Sequence, residues 1–438
     1  MSFENQSAFT RRAFLNRGLT LASAAVTVPW FLQSSAMAMA QPVGAGTSLP
    51  GVAQDRVLVV VQLAGGNDGL NTVIPYRDGL YYKARPTIGV AADRVLKLGR
   101  QDDVGLHPSM TGMKELYDEG LLALVQGVGY PNPNRSHFKS MDIWHTADTS
   151  GIGAGWLGRY FDNQCAGAPG AGTDSSSCSG HAAIAIGREA PLAMEGRVYK
   201  PISFESQELF KWSGAELHPA LAGAYDELTT MDADAPVPTG DTNASFLTRT
   251  ALDARIASER IRAAVGQRPL VNYPGTPIAR QLSMVAQMIR AGLETRVYYV
   301  SLGGFDTHAG QGNVNGPHAN LVGQLAGAVR AFYADLKEQG NDTRVLTMSF
   351  SEFGRRVGQN GSGGTDHGTA APMFLMGPMV KAGVHGKHPS LADLDSGDLK
   401  FHTDFRAVYT GILEDWMKSD GQKVLGRKFK GLEVVKKI

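Results

Sequence analysis

Eight residues in this chain have the types and positions to do chemistry: Asp68, Ser136, His137, Asp306, His308, Glu352, Asp366 and His367. Carboxylates and imidazoles of this kind serve a divalent metal, one ion or two, among Zn, Ca, Mg and Mn. Ser136 stands at a helix start, where the first-turn amides favour an anion. A phosphate or sulfate ester held by metal and attacked by such a hydroxyl is the chemistry this set suits. Arg135 and Arg355 are the arginines placed to meet such an anion, because a guanidinium fork matches phosphate and sulfate. Each residue also has a plainer reading. An Asp in a glycine turn forms turns, a Ser before a helix caps it, and Asp366-His367 can be an ordinary loop pair. His107, His145, His181, His218, His385 and His388 have no usable partner spacing and read as surface or satisfied buried residues. His402, ahead of Asp404 and Arg406, reads as a structural bridge.

The elements that must position these residues can be read from apolar pattern. Residues 57–63 (VLVVVQL) form a continuous β-branched run, as expected of a strand buried on both faces. Further strands are predicted over 121–128, 296–302, 344–350 and 373–376, and helices over 109–119, 276–293, 318–338 and 404–417. Strands alternating with helices predict an α/β fold, a mostly parallel central sheet with helices on both faces. Four of the strands end in turns rich in Asp, Glu, His, Ser and Gly, and parallel sheets gather their chemistry along that edge. Residues 150–275 read differently, with Gly, Ala, Ser and Pro dominating 165–180 and 233–245 and one amphipathic helix over 244–265. This stretch is expected to be an insertion or cap on a single domain spanning 41–438.

The stretches AGGNDGLNTVIPY (64–76), NRSHF (134–138), GWLGRY (155–160), GGFDTH (303–308), SEFGR (351–355), TDHGTAAPMFLMG (365–377) and TDFRAVY (403–409) carry a resemblance. The chain resembles the domain of unknown function 1501 family of exported bacterial proteins, in the alkaline phosphatase-like (sulfatase-like) superfamily. That resemblance implies an alkaline phosphatase-like fold, a binuclear metal centre and a hydroxyl or thiol nucleophile. Carried over residue by residue, Asp68 resembles the first metal-binding Asp and Ser136 the nucleophile. Asp306 and His308 resemble the Asp and His that hold one metal. The superfamily spaces those two by three residues where this chain has one, so His318 competes with His308. Glu352 stands where the superfamily has an Asp-His pair. His367 resembles the late His ligand, with Asp366 beside it.

The chain's first residues point to export. Arg11-Arg12 precedes a weakly apolar run over 19–32 and the small-residue ladder 36–40, so residues 1–40 read as a twin-arginine signal peptide cut after Ala40 or Ala38. The implied partners are the twin-arginine translocase and signal peptidase, and the implied location is periplasmic or secreted. In that oxidising setting Cys165 and Cys178, the two cysteines, are expected to pair. A formal net charge of +1 gives no reason to expect nucleic acid or an anionic membrane as partner, and no segment of the mature chain reads as a membrane span.

Two functions follow. One is an exported metal-dependent phosphate- or sulfate-ester hydrolase. The other is a non-enzymatic binding protein for a surface partner or polysaccharide, keeping the fold with a degenerate site. A redox role finds no motif, since no GxGxxG follows a strand.

Overall fold

The computed structural model describes residues 56–99, 103–166, 182–206 and 258–437, leaving out the side chains of 165 and 166. Nine strands form one sheet: β1 (Val57–Leu63), β2 (Leu122–Gly129), β3 (Ala183–Ile186), β4 (Ile202–Phe204), β5 (Val297–Leu302), β6 (Val345–Phe350), β7 (Ala371–Met376), β8 (Gly383–His385) and β9 (Thr403–Asp404). Their order is β8-β2-β7-β6-β1-β5-β3-β4, with β9 also paired to β2. Within this sheet β7 alone runs antiparallel to its neighbours, and the other pairings are parallel. The fold is α/β, with a large, mostly parallel mixed sheet flanked by helices.

Seven helices carry the argument: α1 (Gly79–Ala84), α2 (Thr111–Asp118), α3 (His137–Thr146), α4 (Trp156–Ala166), α5 (Pro277–Arg290), α6 (Pro317–Glu338) and α7 (Phe405–Gly411). The pleat sends alternate residues to opposite faces. Along β1, Val57, Val59, Val61 and Leu63 join one core with the apolar faces of α2, α5 and α6. Leu58 and Val60 join a second core with α3, α4 and α7. Helices on both faces are the reason the β1 run contains no polar alternation. Proline opens α5 and α6, where its missing N–H costs no helical bond.

Of the stretch 150–275, expected to be an insertion or cap, the described parts belong to the main body: helix α4 packs against the second core, and β3 and β4 extend the main sheet beyond β5. Residues 167–181 and 207–257 lie outside the described residues. Strands of four and three residues carry too short a pattern to stand out from a Gly- and Ala-rich background. The signal segment 1–40 and Cys178 lie outside the described residues. Among the described residues no helix is long and apolar enough to cross a membrane.

Candidate metal centre

The parallel strands β1, β2, β5 and β6 deliver their following loops to one edge of the sheet, and β7, running the other way, begins there. Residues 64–68, 130–137, 303–308, 351–355 and 365–370 therefore meet.

Helix α3 is fixed by its aromatic residues. Trp144 stacks on Phe350 at the end of β6 and on Phe405 at the start of α7, with ring centroids 5.2 and 4.4 Å apart. Such pairs contribute about 0.5–1.5 kcal/mol each beyond area burial. One turn into the helix, buried Ser140 donates to the Glu352 carbonyl at 2.5 Å. His137, the first residue of α3, is thereby set against the loop after β6.

Four side chains converge. Asp306 Oδ1 lies 3.4 Å from His137 Nε2, 3.0 Å from His308 Nε2 and 3.3 Å from His367 Nε2. His308 Nε2 and His367 Nε2 are 2.9 Å apart. His137, Asp306 and His367 each offer a ligand atom within 4.8 Å of the other two. His308 reaches Asp306 and His367 but falls outside that group of three.

The opposite ring nitrogens explain the orientation. His137 Nδ1 meets Glu352 Oε1 at 2.7 Å, His367 Nδ1 meets the Arg135 carbonyl at 2.7 Å, and His308 Nδ1 meets Asp366 Oδ1 at 3.3 Å. Each Nδ1 thus has an acceptor outside the cluster; where His137 and His367 donate from Nδ1 as neutral imidazoles, their Nε2 atoms are left with a lone pair. His137 Nε2 is buried and makes no hydrogen bond, as a nitrogen kept for a cation would. Burial lowers the His367 pKa, which favours the neutral, ligating form. Partial burial would raise Asp306, but the Arg355 hydrogen bond and charge outweigh it and bring its carboxyl to about 2. The carboxylate is thus ionised at neutral pH.

The remaining expected residues take other roles. Glu352 is buried and its oxygens are occupied: Oε1 accepts from the Gly65 N–H at 2.9 Å and from His137, and Oε2 from Ser351 at 3.1 Å. It holds His137 Nδ1 from behind rather than facing Asp306 in the cluster. Glu352→Gln is expected to lower metal affinity about 10–100-fold, the usual cost of losing a carboxylate behind a ligating imidazole, measured by zinc competition titration. Arg355 is fully buried. It donates to the carbonyls of Gly65, Gly66, Phe305 and Thr365 and to Asp306 Oδ1, so it clamps the loops and does not meet a ligand. Arg135 pairs with the buried carboxylate of Asp398. Ser136 occupies the cap position of α3 without making a capping bond, and its side chain is exposed beside His137.

Asp68 is held apart from these four. Its Oδ2 accepts from Arg85 and Gln311, both at 2.5 Å, and its Oδ1 caps the turn 69–72 at Leu70 N. His318 joins that second network through Asn67 at 3.1 Å, and burial pushes its pKa down to about 4. Of the two competing histidines, the one beside Asp306 is therefore His308. His137 stood among the eight candidates, but the resemblance gave it no role of its own. The signal was its place one residue after Ser136 at a helix start, but its partner Glu352 lies 215 residues away in sequence.

Gly65 lets the β1 and β5 loops touch. Its φ is +115°, and a Cβ there would lie 2.6 Å from the Asp306 amide nitrogen. Gly65→Ala is expected to cost about 1–3 kcal/mol or more, read as a lower denaturant midpoint with unchanged slope.

No curated protein matches the chain. A family model described as "Protein of unknown function (DUF1501)" matches residues 247–423. Over that stretch, which carries Asp306, His308, Glu352, Asp366 and His367 but not His137, the chain is similar to a family whose function is unknown.

Proposed function

We propose that His137, Asp306 and His367, with His308 at a fourth position, form the ligand set of one divalent metal ion, and that the protein is a metal-dependent hydrolase of phosphate or sulfate esters. The observation that carries the reading is the convergence of three Nε2 atoms on one carboxylate while each Nδ1 is held by an acceptor. A set of imidazoles with one carboxylate suits zinc better than calcium or magnesium. An ion bound there supplies Lewis acidity toward an ester oxygen. The chain's own groups do the rest. Glu352, Asp366 and the Arg135 carbonyl fix the imidazoles, Arg355 fixes Asp306, and the Ser136 hydroxyl stands exposed next to His137 as the nucleophile. The alkaline phosphatase-like assignment belongs to this proposal, narrowed to one ion because Asp68 and Glu352 are occupied elsewhere. The test is zinc stoichiometry of the full chain, followed by ester hydrolysis with and without Ser136→Ala. One bound zinc, with hydrolysis abolished in the variant, is expected. A chain that binds no divalent metal sinks the reading.

The same occupied carboxylates favour a second reading, a protein that keeps the ion and the fold to bind a polysaccharide or surface partner. Zinc binding without ester hydrolysis would select it. We also propose that residues 1–40 direct export through the twin-arginine translocase. Lys-Lys in place of Arg11-Arg12 is expected to leave uncleaved precursor in the cytoplasm, and normal export of that variant would end the proposal.

A further inference from the structure

Beside the centre lies a groove that the reading above does not use. Leu80 and Lys83 of α1, Arg356, Asp366, Leu391 and Leu394 are among the residues that line it. It offers about 570 Å³, within the range of small-molecule sites. It abuts the centre, because Asp366 holds His308 Nδ1. The groove mixes two chemistries. Leu80 is 40% exposed, and with it in the lining are the buried Leu391 and the half-buried Leu394, which pack in a core with Tyr81, Val357 and Leu399. Lys83 is exposed, and the Arg356 guanidinium is steadied by the Ser396 carbonyl at 3.0 Å and by Asp398 at 3.6 Å. Asp398 is itself buried and shared with Arg135, and Asp366 adds a second carboxylate to the lining, so among the described residues the cation there without an ion pair is Lys83.

We infer that this groove is a binding subsite for an amphiphilic anion: an apolar chain or ring lying on Leu80, Leu391 and Leu394, with an acidic group met by Lys83 and Arg356. The apolar surface alone would accept many ligands, and the two cations select for an anion on it. Placed this way, the ligand lies beside Asp366, so an ester within it would reach the His308 side of the centre. That last point rests on the hydrolase reading, whereas the subsite itself does not.

The test uses the zinc-loaded full chain and three probes: octylphosphonate, methylphosphonate and octanol, titrated calorimetrically. Octylphosphonate is expected to bind about tenfold or more tighter than either of the others, since burying several methylenes and pairing one charge both contribute. Lys83→Glu and Leu80→Ser replace partly exposed side chains, so folding should persist. Each is expected to weaken octylphosphonate about fivefold or more. Asp306→Ala is expected to leave octylphosphonate binding in place while zinc is lost, which separates this subsite from the centre. Equal affinities for octyl- and methylphosphonate overturn the inference. So does binding that falls with Asp306→Ala but is unmoved by Lys83→Glu and Leu80→Ser, because the anion then sits on the metal, as the hydrolase reading allows. Octylphosphonate binding that needs Lys83 in a chain that takes up no zinc supports the subsite and sinks the metal centre instead.

Discussion

Replacing Asp68 by Ala is expected to destabilise the protein by about 3–5 kcal/mol, the cost of leaving a buried charge without its partner. Asp68 and Arg85 are both fully buried and 2.5 Å apart. Arg85 also donates to Asn71 and to the carbonyls of Val357 and Arg356, so its guanidinium cannot swing to water when the carboxylate is removed. Gln311 ties the pair to Thr307 and Thr365 on the neighbouring loops. The loss should appear in chemical denaturation as a lower midpoint, and a change under about 1 kcal/mol would show the pair to be dispensable. Acid should reproduce part of the effect. Burial would raise the Asp68 pKa, but the charge and hydrogen bond of Arg85 outweigh it, and the value lies below 3.8. A depressed folded pKa gives stability that is present above the unfolded value and is lost as pH falls through the folded one. Denaturation midpoints of the unaltered protein should therefore drop below about pH 4, more steeply than those of Asp68→Ala.

The second large effect concerns the centre itself. Asp306→Ala removes the one group that lies within reach of all three Nε2 atoms. It also frees a donor of the buried Arg355 beside the vacated place. Zinc affinity is expected to fall by more than the roughly 10–100-fold assigned to a residue behind a ligand, because a ligand is lost and a positive charge is uncovered together. Asp306→Asn should be less harmful to folding and nearly as harmful to zinc, since a neutral amide ligates poorly. Competition with a chromogenic chelator measures both. Undiminished affinity in Asp306→Ala would remove Asp306 from the ligand set.

The main strands were legible in the amino-acid sequence because they are buried on two faces. A run such as 57–63 has a single polar residue, Gln62, near its end, and it forms β1 at the same residues. Strands that run the same way end at the same edge, and Asp306, His308, Glu352 and His367 do meet there, whereas Asp68 is drawn off by Arg85 and Gln311. The division of labour among the converged residues was not legible. Glu352 and Asp306 both follow a buried strand and both carry a carboxylate. What separates them is that Gly65 and Ser351 bond to Glu352, while Arg355 turns Asp306 toward the imidazoles. Those partners come from elsewhere in the chain, and no local spacing records them. Asp68 shows the opposite case. Its simplest reading, a turn former in a glycine-rich loop, is the one its capping bond to Leu70 supports.

Arg355 has a consequence for how the protein opens and closes. Its guanidinium reaches carbonyls of three loops, at 65–66, 305 and 365, and none of its charge is exposed. A partly folded chain with the sheet formed and any one of these loops detached would strand that charge away from both water and its acceptors. Such states are costly, so loop closure and sheet formation should proceed as one cooperative event. In native-state hydrogen exchange, the amides of Gly354, Thr365 and Gly368, whose acceptors are Thr369, Thr307 and Gly354 in these loops and in that of Arg355 itself, should then exchange with the slowest class of the sheet, a behaviour more typical of a core strand than of surface turns.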